Sequence, residues 1–184
     1  MTTIYLVQHG DKERRPGDPG LTELGKGQAA VTARWLQRTA PHALYTSPLR
    51  RARQTAEPIG RATGLVVRVD SRLRERLNWD GSQTFDAFLA DWDRSAKDRD
   101  LVLGNGESSR SAGERLRVFL AGLVGASGPV AVVSHGGVTT DLLRTLLGDD
   151  GLPPRLIDEG IPPCAITTLD DLHVISIADS RHLS

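Results

Sequence analysis

One cysteine, Cys164, stands among 184 residues, which rules out an internal disulfide and fits a reducing compartment. It follows Pro162-Pro163 and reads as a packing residue rather than a catalytic one. Lysine is scarce as well: only Lys12, Lys26 and Lys97 occur, so the basic side rests on arginine. Arginine is the better planar, bidentate partner for phosphate or carboxylate, although a GC-rich genome produces the same bias. Net charge is missing too. Lys plus Arg number 23 and Asp plus Glu number 23, so charge gives no reason to expect nucleic acid or a membrane as partner. No apolar run approaches the roughly 20 residues that span a bilayer, and the start of the chain lacks the charged and apolar regions of a secretory leader. A cytoplasmic location is expected by default. Repeats and low-complexity segments are also absent.

What is present is a regular alternation of strand and helix patterns. With 39% hydrophobic and 25% charged residues, the chain reads as one globular domain over 1–184, long enough to bury a core. Thr2 to Val7 predicts a strand, because it is rich in β-branched and aromatic residues. A charged, Gly/Pro-rich loop follows from Asp11 to Gly20. Thr22 is a plausible N-cap for a helix reaching about Arg38, with Leu24, Val31 and Trp35 on one face. Ala43 to Thr46 and Val66 to Val69 read as strands. Between them lies a helix that Pro48 can open and Gly64 can close.

The middle, Ser71 to Glu107, is less regular. Phe85 to Ser95 is helical by its spacing of Phe85, Phe88, Leu89 and Trp92, and the polar stretch Lys97 to Arg110 resembles a lid or an active-site loop. Leu116, Phe119, Leu120 and Leu123 form an amphipathic stripe. Pro129 to Ser134 predicts a buried strand, Val138 to Leu147 a helix, and Ala165 to Leu169 with Leu172 to Ile177 a terminal hairpin. The expected fold class is α/β: a three-layer α/β/α sandwich with a mostly parallel central sheet.

Two of these strands end in the same dipeptide, His9-Gly10 and His135-Gly136. Equivalent ends of parallel strands lie along one sheet edge, where α/β folds bind ligands, so both imidazoles can converge on one crevice. His42, His173 and His182 lack that setting and read as surface or packing residues. Ser47-Pro48-Leu49-Arg50-Arg51-Ala52-Arg53 places arginines at a helix N-terminus, which makes an anion site if they face inward and a solvated surface if they do not. Leu73-Arg74-Glu75-Arg76 sets a carboxylate between two arginines.

These segments, with Leu21-Thr22-Glu23-Leu24-Gly25, Gln28-Ala29 and Ser134-His135-Gly136-Gly137, occur in an order that resembles the histidine phosphatase superfamily. The resemblance is to the phosphoglycerate mutase-like proteins, in the branch whose second histidine precedes glycine, and it spans about residues 3 to 147. It implies that His9 attacks phosphorus, that Arg51 and His135 bind the phosphoryl oxygens, and that Glu75 protonates the leaving oxygen. It also implies a neutral His9 whose second nitrogen donates to a backbone carbonyl. To serve as an acid, Glu75 must keep a proton, so Arg74 and Arg76 cannot both lie against it. No metal or cofactor is implied, and no metal-ligand spacing is present. The implied partner is a small phosphorylated metabolite; oligomeric state is left open.

The match has one break. Relatives ordinarily carry Arg-His-Gly, whereas here Gln8 precedes His9 and brings no charge to the phosphate site. Lys12, Arg14, Arg15, Arg50, Arg53 or Arg76 could take over that charge. Lys12, Thr22, Arg76 and Ser108 (or Ser109) are the candidate substrate contacts, although helix capping before Ala112 is the favoured role for the serine. Asn105-Gly106-Glu107-Ser108 is similar to a Gly-Glu-Ser segment of many relatives. The short chain offers little sequence for a closed lid, which favours a phosphatase over a mutase, since a mutase must exclude water. A phospho-ligand binding module with weak or no turnover is the remaining alternative.

Overall fold

The computed structural model describes residues 1–104 and 106–184; Asn105 lies outside the described residues. Strand β1 (Thr3–Gln8) is followed by helix α1 (Glu23–Thr39), strand β2 (Ala43–Thr46), helix α2 (Arg50–Thr63) and strand β3 (Val67–Val69). Helices α3 (Phe85–Lys97) and α4 (Ser109–Ala121) precede strand β4 (Val130–Ser134) and helix α5 (Gly136–Leu147). A short helix α6 (Pro154–Asp158) leads to strands β5 (Ile166–Asp170) and β6 (His173–Asp179).

The strands form one sheet in the order β3-β2-β4-β1-β5-β6. β1 pairs with β4, and β2 with both β3 and β4, all in parallel; β5 joins β1 and β6 antiparallel, as the terminal hairpin. Period-two alternation sends the two faces to separate cores. Ile4 and Leu6 of β1, with Val130 and Val132 of β4, pack under α4 and α5 against Leu116, Leu120 and Leu142. Val7, Ala131 and Val133 point the other way, to Ala33 and Leu36 of α1 and to Ala56 and Ile59 of α2. Every residue of β4 is buried, as a strand covered on both faces requires. The three-layer α/β/α architecture with a mixed, mostly parallel sheet is therefore observed.

Four details differ from the expectation. The buried side of α1 is Gly25, Ala29, Thr32, Ala33 and Leu36, while Leu24 is 64% exposed. Small residues carry little hydrophobic signal, but they allow close approach: a Cβ on Gly25 would sit 2.0 Å from the Asp11 carbonyl oxygen. Helix α2 begins at Arg50 with Leu49 as its N-cap, so Pro48 lies just outside it. Helix α5 starts directly after His135, two residues earlier than the leucine pattern suggests. The described residues of the polar stretch Lys97 to Arg110, which leave out Asn105, line no part of the cleft, unlike a lid. Arg99 ties the stretch to the Asp141 carbonyl at 3.2 Å and to Thr145 Oγ1 at 3.1 Å, and Arg110 pairs with Asp100 at 2.8 Å. Among the described residues, no helix is long and apolar enough to cross a membrane.

Candidate active site

The β1–β4 register brings the two histidines together. Gln8 faces Ser134, so His9 and His135 are the next residues on neighbouring parallel strands. The His9 amide donates to the Ser134 carbonyl at 3.1 Å, and the ring centroids stand 5.2 Å apart in an edge-on arrangement. β2 ends alongside, with the Ser47 amide donating to the Val133 carbonyl at 3.0 Å. Its hydroxyl then lies 2.7 Å from His135 Nε2.

His9 is 7% exposed and lies at the edge of a cleft of about 390 Å³. Its Nδ1 is 2.8 Å from the Gly10 carbonyl oxygen, which can only accept, so Nδ1 carries the hydrogen and Nε2 offers a lone pair. Arg51 Nε donates to that Nε2 at 3.2 Å, and the Gln8 amide nitrogen lies 3.4 Å from it. Burial, then the Arg51 charge, holds the His9 pKa down to about 3, which keeps the imidazole neutral; Lys12 pushes the same way and the Gly10 bond opposes. His135, wholly buried, is held well below its usual range by desolvation first and by Arg51 second.

Arg51, in the first turn of α2, is 3% exposed and faces inward. Asn78 Oδ1 accepts from its Nη2 at 3.0 Å, and Asp18 stands 3.9 Å from Nη1. Glu75 is held by the N-terminus of α5. The Gly137 amide donates to Oε2 at 3.0 Å, while the Val138 and Arg76 amides donate to Oε1 at 2.9 Å each. Neither flanking arginine side chain pairs with it: Arg74 reaches Glu107 at 3.3 Å and Arg76 reaches Asp141 at 3.4 Å. The Arg76–Asp141 pair is buried, and desolvation raises the Asp141 pKa to about 7 against the pull of Arg76.

Of the remaining predicted contacts, Lys12 and Arg76 line the cleft. Burial, then the Arg51 charge, lowers the Lys12 pKa. Thr22 and Ser108 are not cleft residues. The Thr22 hydroxyl caps α1, accepting from the Gly25 amide at 3.1 Å, and the Ser108 hydroxyl caps α4, accepting from the Ser111 amide at 3.2 Å. Both hydroxyls therefore cap helices, the role the sequence favours for Ser108, and neither residue lines the cleft. Arg14 and Arg15 line the cleft with Lys12; Arg50 and Arg53 do not. His42 and His173 are exposed, and His182 packs on Trp35 at 5.7 Å.

Sequence reasoning missed Ser47 and Asn78, the partners of His135 and Arg51, because only the folded register juxtaposes them. It also missed the cleft walls, built from α3 and from residues 156–161. The helical spacing of Phe85, Phe88 and Trp92 was legible; the direction of that face was not.

Comparison with known proteins adds four findings. Residues 4–171 match the histidine phosphatase superfamily (branch 1). The chain is 35% identical to glucosyl-3-phosphoglycerate phosphatase of Mycobacterium tuberculosis over 78% of its own length and 74% of that protein. It is 33% identical to a probable phosphoglycerate mutase of Yersinia enterocolitica over 84% and 78% of the two chains. Among solved structures, a mycobacterial glucosyl-3-phosphoglycerate phosphatase with inorganic phosphate superposes with a TM-score of 0.80 at 31% identity, each chain covered completely.

Proposed function

The chain belongs to branch 1 of the histidine phosphatase superfamily and is a phosphoric monoester hydrolase, and from this premise we propose that it works through a phosphohistidine on His9. The observation that carries this reading is the His9 ring: neutral, tethered through Nδ1–H to Gly10, with its Nε2 lone pair met by the Arg51 guanidinium. A phosphoryl oxygen brought to that point takes over the Arg51 donor, which frees the lone pair for in-line attack. Arg51 and His135 hold the phosphoryl oxygens, with the Gln8 amide as a neutral third donor. Glu75 donates its proton to the leaving oxygen as the P–O bond breaks. It then accepts one from the water that attacks phosphohistidine, which releases inorganic phosphate and restores His9.

Lys12 supplies the charge that Gln8 lacks. Its ammonium shares the cleft with Arg51 and His9: the Arg51 charge lowers the Lys12 pKa, and both cations lower that of His9. The substrate is a small phosphorylated metabolite, and the reaction requires neither metal nor cofactor. One domain spanning 1–184 and acting in the cytoplasm completes the proposal.

The test is turnover of 4-nitrophenyl phosphate in excess EDTA by wild type and His9→Ala. Wild-type activity that survives the chelator and falls at least about 1,000-fold in the variant is expected. Equal rates for the two proteins overturn the mechanism. Mutase activity is a separate outcome, read with 3-phosphoglycerate and a bisphosphorylated primer.

A further inference from the structure

Four of the chain's eight aromatic side chains (three Trp, three Phe, two Tyr) line this cleft: Trp79, Phe85, Phe88 and Trp92. Their rings follow one another with centroids 5.1, 6.3 and 6.1 Å apart. Three of them lie on α3, of which only Ser95 is buried, and none joins the hydrophobic clusters that cover the sheet. An amphipathic helix whose apolar face covers no core presents a binding surface.

Trp92 connects this wall to the reacting centre. A Cβ on Gly137 would lie 2.4 Å from Trp92 Cη2 and 2.7 Å from Glu75 Oε1, so indole and carboxylate crowd the same backbone atom. Arg76 braces the indole, its guanidinium carbon 4.0 Å from the ring centroid, and Asp141 anchors Arg76 in turn. The one polar atom of Trp79 is spent within the wall, its Nε1 donating to the Gln83 carbonyl at 2.8 Å. Leu156, Ile157 and Ile161 add apolar lining, and Arg14, Arg15, Asp158 and Glu159 add charge of both signs.

With phosphorus at His9 and the leaving oxygen at Glu75, the departing alcohol has to lie along Trp92. We propose, resting on the reading of His9 and Glu75 above, that the aromatic wall is the leaving-group subsite and that it selects phosphate monoesters of apolar alcohols bearing an aryl or similarly bulky hydrocarbon group. A polyhydroxylated alcohol would lose water from its hydroxyls against the phenyl faces of Phe85 and Phe88, which return no hydrogen bonds. Charge does not decide between alcohols, because Lys12, Arg14, Arg15 and Arg144 share the lining with Asp158 and Glu159.

The test compares four esters of primary alcohols, matched in leaving-group reactivity: 2-phenylethyl, ethyl, glucose 6- and 3-phosphoglycerate. Wild type is expected to favour 2-phenylethyl over ethyl phosphate by about 10- to 100-fold in kcat/KM, the value of burying one phenyl ring, and to favour it over the two polar esters as well. Trp92→Ala and Phe88→Ala each reduce the phenylethyl-to-ethyl ratio at least about threefold, and a ratio is insensitive to the fraction of folded enzyme. Calorimetric binding of 2-phenylethyl phosphonate against ethyl phosphonate reads the same preference without turnover. Preference for a polar ester, or a ratio unchanged in both variants, overturns the subsite. Phosphonate discrimination without hydrolysis of any ester would overturn the catalytic reading and leave the subsite standing.

Discussion

Replacing Gln8 by arginine while removing the Lys12 charge tests how this site manages without Arg-His-Gly. Gln8 is 9% exposed, its Nε2 faces His9 Nε2 at 3.4 Å, and its Oε1 is buried without a hydrogen-bond partner. The residue therefore contributes one weak neutral donor and wastes an acceptor. A unit charge about 4 Å from a phosphoryl group is worth roughly 4 kcal/mol at an effective dielectric near 20, before the cost of desolvating it. Lys12 already bears part of that cost, since burial and Arg51 both lower its pKa. Lys12→Met should accordingly cost about 2–3 kcal/mol in transition-state binding, a loss of roughly 30- to 200-fold in kcat/KM. Gln8→Arg should raise kcat/KM about tenfold for small esters, short of the full charge because Arg51 and Lys12 repel the newcomer. In the double variant the Lys12→Met loss should shrink at least fivefold, a coupling read from steady-state kinetics in a double-mutant cycle. Additive effects, or a Lys12→Met loss under threefold in wild type, would refute compensation by Lys12. A folded Gln8→Arg enzyme slower than wild type would mean that Gln8 serves a particular ligand.

Three further outcomes follow from the geometry. In thermal or urea unfolding between pH 6 and 4, the unfolded chain protonates both His9 and His135 while the folded chain keeps them neutral, and each lowers stability as pH falls by up to about 1.4 kcal/mol per unit. Asp141, raised to about 7, binds its proton in the folded state first and offsets one of them, so the net loss is about one proton's slope; Asp141→Asn should double it, and a flat profile contradicts the assignment. Gly137→Ala drives a methyl into Trp92 and Glu75 and should lower kcat at least about tenfold with a stability loss of roughly 1–3 kcal/mol; an unchanged kcat means that the carboxylate tolerates displacement. Ser108→Ala should cost about 1 kcal/mol of stability by uncapping α4 and leave KM alone, whereas a raised KM with unchanged stability would restore Ser108 as a substrate contact.

The parts of this molecule legible in its sequence are those governed by local pattern. β1 and β4 announce themselves as buried strands, and a shared His-Gly ending on parallel strands is enough to foresee that His9 and His135 meet. The helix N-terminus beside a strand end marked an anion site, but only the family resemblance singled out Arg51 among its arginines. The α1 face was misread because Gly25, Ala29 and Ala33 act through closeness, and hydrophobic periodicity does not register closeness. Side-chain partners separated by tens of residues, such as Ser47 with His135 or Arg76 with Asp141, follow from register and burial and leave no local mark. The same holds for α3: its spacing states that a face exists, and only the fold states that the face meets the cleft.

The central claim is that phosphate passes through His9. Rapid quench of the enzyme during turnover of a phosphate monoester, followed by peptide mass spectrometry, measures it directly. An acid-labile, base-stable phosphoryl group on the His9 peptide of wild type, absent from His9→Ala, is the predicted result. Turnover without label on His9, or label on another residue that survives in His9→Ala, would contradict it.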